Sequence, residues 1–189
     1  MALKGDLEIQ WLLNYRGGSF LIPNSKTISN ECVIRGVSYE IISDAQSNSI
    51  LSEIANPEIN QDAVKLEKAP RIAVYSPKSK QPWDDAVTLA LTYAEIHYDI
   101  LYDEELHHDK LKEYDWLHLH HEDFTGQYGK FYGSFRFAAW YQAEVRENEG
   151  MAKKLGFTKV SLMKLSSAKK IRDFTFAGGF LFAMCSATD

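Results

Sequence analysis

Short, mostly apolar runs separated by connections too long for hairpins constrain this chain more than any other feature. Ile72-Ala73-Val74-Tyr75, Tyr98-Asp99-Ile100-Leu101-Tyr102, Trp116-Leu117-His118-Leu119-His120 and Phe180-Leu181-Phe182-Ala183-Met184 each read as a strand. Strands with so little polar alternation suit a sheet covered on both faces, which is the condition of a parallel sheet whose crossovers are helices. The connections supply those helices. Pro82 suits the first helical turn leading into Asp84 to Ile96, with Asp84 and Asp85 at the positive end of the helix dipole. Glu104 to Tyr114 reads as a short helix or turn, and a helix within Phe135 to Leu155 meets a C-cap at Gly156. Ser161 to Phe176 places Leu162, Leu165, Ala168, Ile171 and Phe174 or Thr175 at helical spacing, and Gly178-Gly179 ends it. The succession predicts an α/β fold: a mostly parallel sheet with helices on both faces.

Upstream of Pro70 the pattern is weaker. Glu8 to Leu13 reads as a mostly buried strand running into a tight loop at Asn14-Tyr15-Arg16-Gly17-Gly18-Ser19. Cys32 onward reads as a short helix entering a strand at Val37 to Ile42, followed by a helix from Ala45 to Ile54. From Asn56 to Ala69 apolar density falls and charge rises between Pro57 and Pro70. The expected organisation is an N-terminal α/β unit at 1–56, a linker at 57–70 and an α/β core at 71–189.

A chain of 189 residues with 45% hydrophobic content can bury one full core with a small additional unit. Its net charge of −5 and pI near 5.7 exclude the basic stripe that nonspecific nucleic-acid binding needs. Cys32 and Cys185 are the only cysteines, so the chain is no disulfide scaffold. Met1 to Asp6 has no signal-peptide run, and no segment reaches the roughly 18 apolar residues of a membrane span. No membrane partner is expected, and the expected compartment is the cytoplasm, or the periplasm if a leader precedes this sequence. The polypeptide stops at Asp189, before a helix can follow the last strand, so one face of that strand is expected to lack its cover.

Cys185 directly follows the last apolar run, which in a parallel sheet is the carboxyl edge where ligands bind. A thiol there suits nucleophilic chemistry, with backbone amides near Ser186 as oxyanion donors. It equally suits a small buried hydrophobe at a strand end. A nucleophilic thiol needs a base, and His118, His120 or His121 supplies one if the third and fourth strands lie side by side. His118-Leu119-His120-His121-Glu122-Asp123 is the densest polar cluster, with His118 and His120 on one face of their strand. Its spacing matches no zinc signature, so capping and hydrogen bonding compete with a metal-dependent hydrolase as its reading, and no metal or cofactor is assigned. Gly17-Gly18-Ser19 suits an anion nest or, more simply, a tight turn. Trp83, Trp116, Tyr128, Phe131, Tyr132, Phe135 and Trp140 suit a pocket lining or a core, and the glycine- and aromatic-rich Gly126 to Gly133 suits a loop over the functional edge. Lys164, Lys169, Lys170 and Arg172 read as a solvated helix face.

Four long motifs carry a family resemblance: Trp11-Leu12-Leu13-Asn14-Tyr15-Arg16-Gly17-Gly18-Ser19-Phe20, Lys80-Gln81-Pro82-Trp83-Asp84-Asp85-Ala86-Val87-Thr88-Leu89, His118 through Gly129, and Phe182-Ala183-Met184-Cys185-Ser186-Ala187-Thr188-Asp189. They resemble a bacterial family labelled asparagine synthetase B, and this sequence looks like its N-terminal half. The resemblance implies a flavodoxin-like fold similar to class I glutamine amidotransferases, with Cys185 at the position of their nucleophile. Catalytic candidates are then Cys185, His120, His121 and Glu122, and substrate-binding candidates are Gly17, Gly18, Trp83, Asp84, Gln127 and Tyr128. The implied partner is a small-molecule substrate. Three departures separate the sequence from the label and the pattern: it begins Met1-Ala2 rather than with an exposed cysteine, it has no Ser-Gly-Gly pyrophosphate loop, and Ala183 and Ala187 stand where amidotransferases carry glycine around the cysteine. The alternative expectation is a noncatalytic binding module of the same fold.

Overall fold

The computed structural model describes residues 7–59, 62–76, 86–120, 124–125 and 135–188, with the backbone alone at 185 and 186. The chain divides into two compact units, Met1–Ala69 and Pro70–Asp189.

In the first unit, β1 (Ile9–Leu12) is the centre of a three-stranded antiparallel sheet between β2 (Ser19–Leu21) and β3 (Ala63–Leu66). The β1–β2 connection is a 3-10 turn in which Arg16, Gly17 and Gly18 all have positive φ, at 49°, 78° and 97°. Glycine adopts that conformation without the Cβ penalty, which is why the pair marks the turn. Across the sheet, Trp11 is registered with both Phe20 and Val64, and its ring stacks on Phe20. Helices α1 (Lys26–Ile34) and α2 (Asp44–Ile54) follow; a capping box closes α2, Ser43 Oγ accepting from Gln46 N and Gln46 Oε1 accepting from Ser43 N.

Two local expectations fail here. Val37 to Ile42 forms no strand: the chain turns at Gly36 with φ 66° after α1, Val37, Tyr39 and Ile41 are all exposed, and no strand lies beside the alternating pattern among the described residues. The stretch read as a linker contains β3, whose register pairs Lys65 with Gln10 and Leu66 with Ile9. Its low apolar content reflects an edge strand with an exposed side.

The second unit is a four-stranded, wholly parallel sheet in the order β5-β4-β6-β7, compatible with a flavodoxin-like fold. Its strands are β4 (Ile72–Tyr75), β5 (Tyr98–Leu101), β6 (Trp116–His120) and β7 (Phe180–Met184). The four residues of β4 are all buried, as a central parallel strand requires. On one face, Ala73, Tyr75, Leu101, Leu117 and Leu119 form a core with Leu106, Leu111 and Ile171. That face is covered by α4 (Asp103–His107), the 3-10 turn Lys110–Glu113 and α6 (Val160–Phe176), with α5 (Ala139–Lys154) against α6. The other face meets α3 (Ala86–Tyr93), whose Ala86, Val87, Ala90 and Leu91 border a cavity of about 440 Å³ with Trp116, His118, Phe180 and Phe182. Phe180, Phe182 and Met184, on that side of β7, remain 56%, 45% and 40% exposed.

The buried stripe of α6 is Val160, Met163, Lys164, Ser167 and Ile171, while Leu162 and Leu165 are exposed. This corrects the expected face, and it corrects the assignment of Lys164 to solvent: the buried spacing is helical, but it includes a cation.

Candidate functional site at the carboxyl edge of the parallel sheet

The chain leaves β4 toward β5 on one side and returns across the sheet to β6 and β7 on the other, so β4 and β6 are adjacent strands whose connections diverge. Such a switch point opens a crevice at the carboxyl ends of the strands. Ser76 stands at the end of β4 and continues the ladder by donating N–H to Leu101 O at 3.0 Å; His120 stands at the end of β6.

β6 and β7 are parallel neighbours, and their register pairs His118 with Phe182, Leu119 with Ala183 and His120 with Met184. Cys185 is therefore the residue immediately past the register of His120, at the same edge, and it opens a 3-10 turn at Cys185–Thr188. The strands that carry the histidines and the cysteine therefore lie side by side. His118 and His120 share a face, with ring centroids 5.7 Å apart, and both are buried. His118 stacks on Phe182 at 5.1 Å and lines the cavity beneath α3, an almost wholly apolar space in which its imidazole is the main polar group.

On the opposite face of the same edge lies a cluster that residue types alone did not reveal. Tyr75, the last residue of β4, donates its hydroxyl to Asp103 Oδ1 at the start of α4. Lys164 Nζ donates to Tyr75 Oη at 2.7 Å and to Asp103 Oδ1 at 3.3 Å. The lysine and aspartate side chains are only 6% and 3% exposed. The ammonium also lies 5.1 Å from the centroid of the Tyr75 ring and 5.7 Å from that of Phe124, which are themselves 5.5 Å apart. One turn along α4, His107 Nε2 meets Ser167 Oγ at 3.0 Å, and burial pushes the His107 imidazole below its ordinary range. Since Ser167 donates to Met163 O, it is an acceptor toward His107 and is not poised as a nucleophile.

Of the residues proposed from sequence, Cys185 and His120 come to adjacent strand ends. Gly17 and Gly18 belong to the first unit, where they build the β1–β2 turn, with Gly18 N–H donating to Tyr15 O at 3.0 Å. His121, Glu122, Trp83, Asp84, Gln127 and Tyr128 lie outside the described residues. Among the described residues, no group of three or more His, Cys, Asp or Glu side chains assembles a metal-ion shell, and no helix is long and apolar enough to cross a membrane. The signal for Lys164 was present in principle: Val160, Met163, Lys164, Ser167 and Ile171 fall on one helical stripe, but a lysine is ordinarily assigned to water.

Fold and site together define a parallel α/β unit with buried polar side chains at its carboxyl edge. No family model, curated protein or solved structure matches the chain.

Proposed function

We propose that the parallel unit is an amidotransferase-like thiol hydrolase domain acting on a small carboxamide or related acyl substrate, in keeping with the resemblance of its motifs to the family labelled asparagine synthetase B. The observation that carries this reading is the β6–β7 register, which brings Cys185 one residue beyond the partner of His120. In the chemistry, a base of the His118 to His121 segment takes the thiol proton. The thiolate then forms a bond to the carbonyl carbon, and ammonia leaves with a proton returned by the imidazolium. Water cleaves the resulting thioester to release the acid and restore the thiol.

Alkylation of Cys185 by iodoacetamide, followed across pH with Cys32 replaced by serine, tests the assignment. A thiol activated by a neighbouring imidazole reacts at neutral pH well above the rate of a free cysteine, and His120→Gln removes the excess. A rate equal to that of free cysteine at every pH sinks the nucleophile role.

The cavity beneath α3 favours a second reading, a noncatalytic module that binds a small molecule. Retention of full biological activity by Cys185→Ala would favour that reading over catalysis.

A further inference from the structure

Lys164 and Asp103 carry opposite charges in a site almost sealed from water. Removing two charges from solvent costs about as much as their attraction returns, and apolar residues of similar shape hold such a place equally well or better. Stability of the fold is thus a weak reason for the pair. A cation does what an apolar group cannot: it binds a phenol oxygen and a carboxylate at once while lying within reach of an aromatic ring. Lys164 does all of these, and the groups it joins come from β4, α4 and the chain just past β6. Phe124 is the far member of the set; it packs against the core and, through the Tyr75 ring, against the end of β4.

We propose that Lys164 is a positioning residue of the carboxyl edge: its buried ammonium, held by Tyr75 and Asp103, fixes Phe124 against the Tyr75 ring at the end of β4. The consequence for chemistry rests on the thiol-hydrolase reading above; the positioning itself does not. The switch point lies between β4 and β6, and the lysine holds Phe124 against the last residue of β4. On that reading a base carried on β6 is positioned from α6.

The test uses the full chain with para-fluorophenylalanine placed at position 124 and with the double substitution Lys164→Met/Asp103→Leu, which exchanges the ion pair for apolar groups of similar size. The expected result is a folded double variant whose thermal midpoint stays close to that of the parent while the fluorine resonance of residue 124 shifts or broadens. An unchanged resonance in the folded variant overturns the proposal, because Phe124 would then hold its place without the cation. If the double variant fails to fold, Tyr75→Phe carries the same test: it keeps the ring and deletes the oxygen that holds the ammonium, and an unmoved resonance again overturns the proposal. The pH profile of Cys185 alkylation is recorded in parallel, with a loss of about tenfold in the neutral-pH rate expected in the folded variant, since small misplacements of a reacting group are costly. A parent protein with an ordinary thiol profile but a lysine-dependent fluorine shift rejects the hydrolase and retains the positioning role.

Discussion

The two faces of the parallel sheet are covered unequally, and a pair of alanine substitutions on neighbouring strands measures the difference. Leu117 in β6 is fully buried among Ala73, Tyr75 and Leu119 beneath α4 and α6, whereas Phe180 at the start of β7 faces the α3 side and is 56% exposed. Leu117→Ala loses about 2 kcal/mol of transfer free energy and leaves a cavity in a close-packed interior, for a total of about 3.5 kcal/mol. Phe180→Ala removes more carbon atoms, but under half of the side chain is out of water. At about 25 cal/mol per Å² its burial is worth roughly 1.5 kcal/mol, the edge-to-face contact with Trp116 adds about 0.5 kcal/mol, and solvent fills the space without a cavity penalty. The larger deletion is therefore the milder one, by about 1.5 kcal/mol. In urea unfolding followed by far-ultraviolet circular dichroism, that gap separates the two midpoints by roughly 0.5–1 M if the dependence on denaturant is unchanged. Equal midpoints, or a lower one for Phe180→Ala, would refute the reasoning, because the α3-side face would then be as well sealed as the other.

Two further outcomes follow from the second unit. Burial holds the His107 imidazole below its unfolded value, so the unfolded chain binds a proton that the folded chain refuses. The contribution of this group is complete above about pH 6.5 and is lost as pH falls through that value, until the folded-state titration is reached. Urea midpoints measured from about pH 7 down to about pH 5 should decline in the parent and decline less in His107→Gln. A methyl group at Gly179 would overlap the Phe174 ring, so Gly179→Ala should cost about 1–3 kcal/mol and lower the thermal midpoint by roughly 4 °C or more, with Phe174→Leu restoring part of the loss.

The alternation of strand and helix after Pro70 was legible because each element obeys its own period and none needs a distant partner to be recognised. β4 and β6 are runs buried by neighbours on both sides, and Gly156 and Gly178, with φ of 84° and 98°, end their helices where sequence spacing places the stops. The first unit was less legible because its sheet is held by pairing rather than by pattern. Val64 is 45% exposed, and Ser19–Leu21 and Ala63–Leu66 are strands only because β1 lies between them. Val37 to Ile42 has the alternation that those strands lack, yet no strand pairs with it among the described residues. Alternation reports which side chains can share a face, and only a hydrogen-bonding neighbour turns that capacity into a strand.

The site divides along the same line. The placement of Cys185 at a strand end follows from one local run, and its adjacency to the histidine strand adds a single topological fact. The Tyr75–Asp103–Lys164 cluster required three elements to meet, with Lys164 drawn from 89 and 61 positions away along the chain. No window of sequence contains that meeting. A lysine in the middle of a buried helical stripe is locally inconsistent, and such inconsistencies concentrate where a fold gives up stability for a task. Here the inconsistency falls beneath the switch point of a parallel sheet, where a ligand is expected on grounds of topology alone. Two independent arguments, one from strand order and one from the cost of a buried charge, thus converge on the carboxyl ends of β4 and β6. The residue that most visibly broke the pattern of α6 is the one that binds Tyr75 at the end of β4.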